Sequence, residues 1–104
     1  MNRTSVTLAA ALAEGGTDID RAFDQLLPVP GDARARLYEA MRYAAIGGGK
    51  RIRPLLVIAG CDLFRVARER SVRAALAVEC IHVYSLIHDD LPCMDDDDLR
   101  RGKP

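Results

Sequence analysis

Residues 71–90 read SVRAALAVECIHVYSLIHDD, and this stretch decides the fold. Its apolar residues recur three and four positions apart, which is α-helical spacing, and they cover most of the helix circumference. Ser71 is a candidate N-cap of this helix. A helix that is apolar nearly all round needs neighbours on all sides, so we expect it to be central. The apolar positions are Ala74, Ala75, Ala77, Val78, Ile81, Val83, Leu86 and Ile87.

Three shorter segments before this helix have the same apolar spacing. The first covers Ile19–Leu27 behind Thr17, a candidate N-cap, and ends at a pair of prolines. The second follows Asp32, also a candidate N-cap, and ends in glycines. The third begins at Pro54 and continues to Phe64. Because no period-two alternation long enough for a strand occurs, we predict an all-α fold.

Composition and charge exclude several classes of protein. The 104 residues contain 15 Lys plus Arg and 15 Asp plus Glu, and a net charge of zero argues against a nucleic-acid binder. No run approaches the ~18 uncharged apolar residues of a membrane span. Arg3 and the run from Val6 to Ala13 faintly resemble a secretory leader, but the run is short and Glu14 follows it. The three cysteines lack CxxC spacing, so we expect a soluble protein in a reducing cytoplasm.

A basic turn, GGGKRIRP at residues 47–54, joins the second and third predicted helices. Its glycines can expose backbone N–H groups beside a helix N-terminus, and three cations surround them, which is the chemistry of an anion site. Lys50 and Arg53 can point to one side of the first helical turn, whereas Arg51 should point elsewhere. A glycine helix end with incidental surface charge is the alternative. The turn is not a P-loop, because Ala44 replaces the first required glycine.

An acidic turn, DDLPCMDDDD at residues 89–98, follows the central helix directly. Crowded carboxylates raise one another's pKa unless a cation compensates. Oxygen ligands without His or Cys at zinc spacing favour Mg²⁺, which is commonly shared with substrate phosphates. Pro92 prevents a regular helix here, so a bulge or turn must bring Asp95 back toward Asp89. A solvated run of charge is the alternative.

Basic residues also follow the acidic turn, at Arg100, Arg101 and Lys103. Together with the basic turn they place cations on two sides of the carboxylates. Metal ions on one side and arginines on another would form a clamp for a polyphosphate. A surface of alternating charged patches is the alternative.

The motifs GGGKRIRP at 47–54 and ECIHVYSLIHDDLPCMDDDDLRRGKP at 79–104, with their separation, resemble the N-terminal part of a trans-isoprenyl diphosphate synthase, or polyprenyl synthetase. They are most similar to bacterial farnesyl diphosphate synthases. The resemblance covers the chain from about Asp32 onward, and residues 1–30 add little to it. We expect residues 1–30 to be a family-variable arm and first helix. It implies an all-α enzyme, usually a homodimer, that uses Mg²⁺ to condense isopentenyl diphosphate with an allylic diphosphate.

The resemblance implies two groups of binding residues. Lys50, Arg53 and His82 would hold isopentenyl diphosphate, and Arg101 would contact the same homoallylic diphosphate. Without the resemblance, a histidine on an apolar helix is more often a satisfied core residue.

The second group would serve the allylic diphosphate. The resemblance implies that Asp89 and Asp95, with Asp90 supporting, bind the Mg²⁺ that bridges this diphosphate, and that Arg100 contacts it. These residues would assist its departure from the allylic carbon. His88 is expected to be structural or to support a metal ligand.

Product length is predicted from the residues before Asp89. Along a helix rising ~1.5 Å per residue, Tyr84 lies about 7.5 Å from Asp89, where its ring could stop a growing chain. In the family, an aromatic residue here goes with short products, and so does the DDxxxxD spacing. We assign Tyr84 and Ser85 to chain-length control and expect farnesyl diphosphate as the product. A geranylgeranyl diphosphate synthase is the alternative, as is Tyr84 as ordinary core.

Family members carry a second aspartate-rich motif and further helices downstream, and residues 1–104 contain neither. We therefore expect residues 1–104 to be the N-terminal part of a single polyprenyl synthetase domain whose C-terminal part is absent. Such a truncated chain should expose apolar helix faces, self-associate and be inactive alone. The alternatives are a non-catalytic helical module that binds Mg²⁺-diphosphate or dimerises with a synthase, and a calcium-type acidic site without a phosphate ligand.

Overall fold

The computed structural model describes residues 7–104, which form four helices and no strand. The helices are α1 (Leu8–Leu26), α2 (Ala35–Ala45), α3 (Ile52–Leu63) and α4 (Arg68–Asp89). The prediction of an all-α fold is confirmed for this part of the chain. Residues 1–6 of the predicted N-terminal arm lie outside the described residues.

The three predicted N-caps, at Thr17, Asp32 and Ser71, are wrong, because other residues occupy these positions. The hydroxyl of Thr7 caps α1 by accepting a hydrogen bond from the amide three residues on, at 3.1 Å. Thr17 lies inside α1 and donates to the carbonyl of Ala13 at 3.0 Å. Ser71 lies inside α4 and donates to the carbonyl of Arg68 at 2.9 Å. Ser and Thr hydroxyls can bond such carbonyls in the helix interior, so their presence alone does not mark a helix start.

The other helix boundaries lie close to the predicted ones. Asp32 precedes the α2 N-cap, Arg34, by two residues, and its carboxylate accepts the Arg34 amide at 2.9 Å. Two glycines after α2 have left-handed backbone, with φ +79° at Gly47 and +78° at Gly49. Pro54 lies in the first turn of α3, where its missing N–H leaves no helical hydrogen bond unmade.

The longest helix, α4, packs against all three others, as predicted for a central helix. Six apolar side chains are buried between the helices and form the core: Ile19, Phe23, Ala45, Ile58, Ala75 and Val83. Other large apolar side chains on α3 and α4 are exposed. The most exposed are Leu63 at 82%, Ile81 at 70%, Leu56 at 66% and Tyr84 at 65%, and Phe64, directly after α3, is also 82% exposed. The expectation of exposed apolar helix faces is therefore confirmed.

Two further features bear on the expectations from composition. Within residues 7–104, no helix combines the length and hydropathy that a bilayer crossing requires. Cys61, Cys80 and Cys93 are free thiols. Burial raises the pKa of the Cys80 thiol above its ordinary value.

Candidate functional site

Arg51 fixes the basic turn to the helical core. It is the N-cap of α3, has left-handed backbone (φ 57°, ψ 37°), and its side chain is only 3% exposed. Its Nη2 donates to Oδ1 of Asp20 at 3.0 Å and also to the carbonyl of Ala45. The guanidinium lies 5.6 Å from the ring centroid of Phe23. Arg51 thus points into the core, unlike the other two cations of the turn, as the spacing predicts.

The first helix contributes more to this turn than the sequence suggests. Asp20 accepts hydrogen bonds from the Gly47 amide, at 3.1 Å, and from Arg51. Phe23 is buried at 2% exposure, and the Arg51 guanidinium lies over its ring. Two side chains of α1 therefore hold the basic turn in place.

Glu79 is buried in the middle of α4 between two arginines. Its relative exposure is 1%, and its Oε1 lies 3.6 Å from Arg51 Nη1 and 3.8 Å from Arg101 Nη2. Within residues 7–104, Arg51 Nη1 and Glu79 Oε2 are buried without a hydrogen-bond partner. Sequence reasoning missed Glu79. The available signal was the single carboxylate of the apolar stretch 71–88, because a carboxylate in such a stretch is buried only when cations pair with it.

Arg101 lies across the glycines of the basic turn. Its Nη1 donates to the Gly48 carbonyl at 3.1 Å, and its side chain is 13% exposed. A Cβ added at Gly48 would come within 2.9 Å of the Arg101 side chain, and one added at Gly49 within 2.8 Å. The glycines therefore leave the space that the arginine occupies. Burial and the neighbouring charge of Arg51 lower the pKa of Arg101.

A single cleft brings together four of the residues predicted to bind a diphosphate. The cleft has a volume of about 230 Å³, and its lining includes Lys50, Arg53, His82 and Arg101. Arg53 Nη1 lies 3.3 Å from His82 Nε2. Burial, with the positive charge of Arg53, lowers the pKa of His82, so the ring is neutral at pH 7. His82 is half-buried and contacts Arg53 in the cleft, so it is not among the fully buried core residues.

The acidic turn folds back as its proline predicts. The Met94 amide donates to the Leu91 carbonyl at 2.9 Å, which closes a tight turn after Pro92. The Asp95 amide donates to the Asp89 carbonyl at 2.8 Å. The predicted return of Asp95 to Asp89 is therefore confirmed at the level of the backbone.

The carboxylate of Asp90 is held by Arg100. It accepts from Arg100 Nε at 3.0 Å and from Nη2 at 2.6 Å, a two-point contact that lowers the pKa of Asp90. Asp97 lies 3.6 Å from the same guanidinium, and partial desolvation together with the charges of neighbouring carboxylates raises the pKa of Asp97. Over residues 7–104, no three His, Cys, Asp or Glu side chains converge closely enough to hold a metal ion.

Lys103 binds the carboxyl end of α2. Its Nζ donates to the Tyr43 carbonyl at 2.7 Å and lies 4.4 Å from the centroid of the Tyr43 ring. It also reaches the Ile46 carbonyl at 3.4 Å. Lys103 thus caps the carboxyl end of α2, where a cation is favourable. Arg100, Arg101 and Lys103 have different hydrogen-bond partners, although all three line one cavity with Asp90 and Asp97.

The predicted chain-length residues lie one turn before the acidic turn. The Tyr84 ring is exposed within residues 7–104 and lies 5.9 Å from the His88 ring. His88 Nδ1 is 3.6 Å from a carboxylate oxygen of Asp89. Ser85 is half-buried and donates to the His82 carbonyl at 2.7 Å. Because Ser85 and Asp89 are four residues apart on α4, they share one face of the helix.

The polyprenyl synthetase family model matches residues 34–104, which include the cleft and the acidic turn. The chain therefore belongs to the polyprenyl synthetase family, the trans-isoprenyl diphosphate synthases. It has the all-α fold of that family, and the family consists of prenyltransferases.

Solved and curated relatives agree with this assignment. An FPP/GFPP synthase of Zymomonas mobilis, solved in its apo form, is 67% identical, with a TM-score of 0.91 over 93% of this chain and 35% of that one. A geranyltranstransferase of Thermotoga maritima is 42% identical, with a TM-score of 0.81 over 89% and 34% of the two chains. A chloroplastic geranylgeranyl pyrophosphate synthase of Capsicum annuum is 50% identical over 93 residues, which are 89% of this chain and 25% of its own. The chain thus spans between a quarter and about a third of the length of these relatives.

Proposed function

We propose that this chain forms the isopentenyl diphosphate subsite of a prenyltransferase and one side of its allylic diphosphate subsite. The observation that carries the proposal is the cleft in which Arg53 contacts His82 at 3.3 Å, with Lys50 and Arg101 in the same lining. Guanidinium groups bind phosphate oxygens through paired, charge-assisted hydrogen bonds, and Lys adds a compact charge. Three cations beside a neutral imidazole suit the homoallylic diphosphate, which keeps its phosphates throughout the reaction.

The allylic diphosphate is assigned to the acidic turn. In the proposed reaction its carbon–oxygen bond breaks, diphosphate leaves with the electron pair, and the allylic cation is attacked by the double bond of isopentenyl diphosphate. A proton is then lost from the condensed product to the released diphosphate. Arg100, which Asp90 anchors, would stabilise the negative charge that develops on the leaving group.

Mg²⁺ is the proposed cofactor, and the donor set suits it. Asp89 and Asp95, which the backbone hydrogen bond holds together, offer oxygen ligands, with Asp90 in support. Mg²⁺ is commonly bound through one or two carboxylates plus substrate phosphates, so a closed protein cage is not required. When bound, it supplies positive charge to the departing diphosphate.

Farnesyl diphosphate is the proposed product. The support is Tyr84, whose bulky ring lies on the exposed apolar face of α4 within two turns of Asp89 and can end the space for a growing chain. Ser85, one turn before Asp89, would border the same space. Geranylgeranyl diphosphate is the second candidate, because the Capsicum annuum relative is a geranylgeranyl pyrophosphate synthase. Chromatography of the products distinguishes the two by length.

The homodimer, the cytoplasmic location and the single polyprenyl synthetase domain stay predictions. The exposed apolar faces of α3 and α4 favour packing against further helices or a second copy of the protein.

Steady-state kinetics of the native protein, as its organism produces it, test the proposed function. With Mg²⁺ and both diphosphates, Arg53→Gln should raise the KM for isopentenyl diphosphate about 10- to 100-fold, the effect of losing a hydrogen bond from a charged group. The KM for the allylic substrate should stay unchanged. Arg36→Gln, which removes an exposed charge from α2, is the matched control and should change neither constant. No condensation by the native protein, or an equal effect of both variants, would overturn the proposal.

A further inference from the structure

We propose that Glu79 and the pair Gly48 and Gly49 are positioning residues that hold Arg101 in the diphosphate cleft. This inference rests on the proposed function, because it explains how the cleft keeps one of its cations in place. None of the three is assigned a contact with substrate. They act through the arginine, Glu79 by charge and the glycines by the space that they leave.

The two arginines that pair with Glu79 both have an unfavourable backbone conformation. Arg51 has φ 57° and Arg101 has φ 54°, both in the left-handed region that residues with a Cβ rarely adopt. Such conformations persist only where the surrounding contacts determine them, and they cluster at functional sites. Here the side chains of both residues converge on one buried carboxylate.

Two guanidinium groups flank the buried carboxylate of Glu79, and Asp20 on α1 pairs with Arg51 from the other side. Lys50 and Arg53 lie beside this cluster in the same cleft. Without Glu79, Arg51 and Arg101 would repel each other in surroundings that screen charge poorly. Arg51 is fixed by α1, whereas Arg101, on the turn after the acidic residues, can swing toward solvent. Glu79 therefore determines chiefly the position of Arg101.

Gly48 provides the sharpest way to test this arrangement. Its φ lies outside the left-handed range, so alanine causes no backbone strain there. The three atoms nearest to an added Cβ all belong to the Arg101 side chain, at 2.9, 3.5 and 3.6 Å. Gly48→Ala therefore displaces Arg101 without changing any charge. At Gly49 the same substitution also strains the backbone, where φ is +78°.

The experiment measures the kinetics of the native protein with Gly48→Ala. We expect the KM for isopentenyl diphosphate to rise about tenfold, because one charge-assisted hydrogen bond is weakened. The KM for the allylic diphosphate should stay unchanged. In an Arg101→Ala background, Gly48→Ala should have no further effect, since the side chain that it displaces is gone. Gly31→Ala, whose added Cβ meets nothing within 4 Å, is the control and should change neither KM.

Substitutions of Glu79 provide a second, independent test. Glu79→Gln should raise the same KM, and Glu79→Asp, which keeps the charge, should restore part of the affinity. A merely structural role would lower the melting temperature of Glu79→Gln and leave both KM values unchanged, which would overturn the inference for Glu79.

The outcomes separate this inference from the proposed function. If Arg53→Gln raises the KM for isopentenyl diphosphate but Gly48→Ala does not, the positioning inference fails and the proposed function stands. An undiminished effect of Gly48→Ala in the Arg101→Ala background would also overturn the inference. If Arg53→Gln has no selective effect either, the proposed function itself fails.

Discussion

Arg53 Nη1 lies 3.3 Å from His82 Nε2, and this contact joins the basic turn to the middle of α4. A guanidinium only donates hydrogen bonds, so His82 Nε2 must accept and the proton of the neutral ring resides on Nδ1. The contact therefore holds a neutral acceptor against a fixed positive charge. An anion that enters the cleft would weaken the repulsion that keeps the imidazole neutral.

The pKa of His82 should accordingly respond to the occupant of the cleft. In the free protein it lies below its ordinary value, because burial and the charge of Arg53 disfavour the imidazolium. Arg53→Gln should raise this pKa, and so should added inorganic pyrophosphate. The imidazole resonances, followed by NMR through a pH titration, report it directly. If neither change moves the pKa of His82, the assignment of this cleft as an anion site is contradicted.

The same pKa predicts how stability depends on pH. Because the folded-state pKa lies below the unfolded value of about 6.5, the unfolded state binds the proton first as the pH falls. His82 should therefore cost no stability above that value and an increasing amount as the pH falls toward the folded-state pKa. His82→Gln should remove this part of the acid destabilisation in urea titrations. Identical pH profiles for the two proteins would contradict the prediction.

Thr7 and Thr17 test the observed start of α1. Thr7→Ala removes an N-cap and should lower the free energy of unfolding by about 1 kcal/mol. Thr17→Ala, the matched control, removes a hydroxyl that bonds a carbonyl inside the helix and replaces Thr by a better helix former, so it should not destabilise. Chemical denaturation measures both. A larger loss at Thr17 would place the helix start where the sequence pattern predicts it.

Several elements follow from local chemistry, and these are the parts that the sequence predicts well. Apolar spacing predicts the central position of α4, glycines predict the end of α2, and Pro92 predicts the return of Asp95 to Asp89. Each depends on residues within a few positions of one another. The wrong caps at Thr17 and Ser71 have a local reason too, because a hydroxyl can bond either an amide at a helix start or a carbonyl within a helix.

The buried charges could not be predicted in this way. Arg51, Glu79 and Arg101 are far apart in the sequence, and only the packing of α1, α3 and α4 brings them together. Arg101 and Lys103 are close in sequence but have different partners. The chain turns at Gly102, with φ +76°, so that Arg101 contacts Gly48 and Glu79 whereas Lys103 contacts the end of α2.

Tyr84 is the predicted limit on product length. Tyr84→Ala removes a ring from the exposed face of α4 and should shift the products of the native protein toward chains longer than 15 carbons. Tyr38→Ala, which removes a ring of the same size from α2, should leave the product spectrum unchanged. Chromatography of dephosphorylated products measures the outcome. An unchanged spectrum for Tyr84→Ala would contradict the assignment.

The proposed Mg²⁺ ligands of the acidic turn can be tested against another aspartate of the same turn. Asp89→Asn and Asp95→Asn should each lower kcat by about 10²-fold and raise the Mg²⁺ concentration needed for half-maximal rate, because each removes charge that would hold the ion. Asp98→Asn, an exposed residue of the same acidic run, should change the rate little. A magnesium titration of all three variants measures this. Equal losses would mean that only the total charge of the turn matters.

Isothermal titration calorimetry of inorganic pyrophosphate into the native protein tests the central claim most directly. The cleft of Lys50, Arg53, His82 and Arg101 predicts saturable binding that weakens as salt rises and weakens at least tenfold in Arg53→Gln. Mg²⁺ should strengthen binding at the acidic turn. If the native protein takes up no pyrophosphate with or without Mg²⁺, the diphosphate site inferred from this structure does not exist.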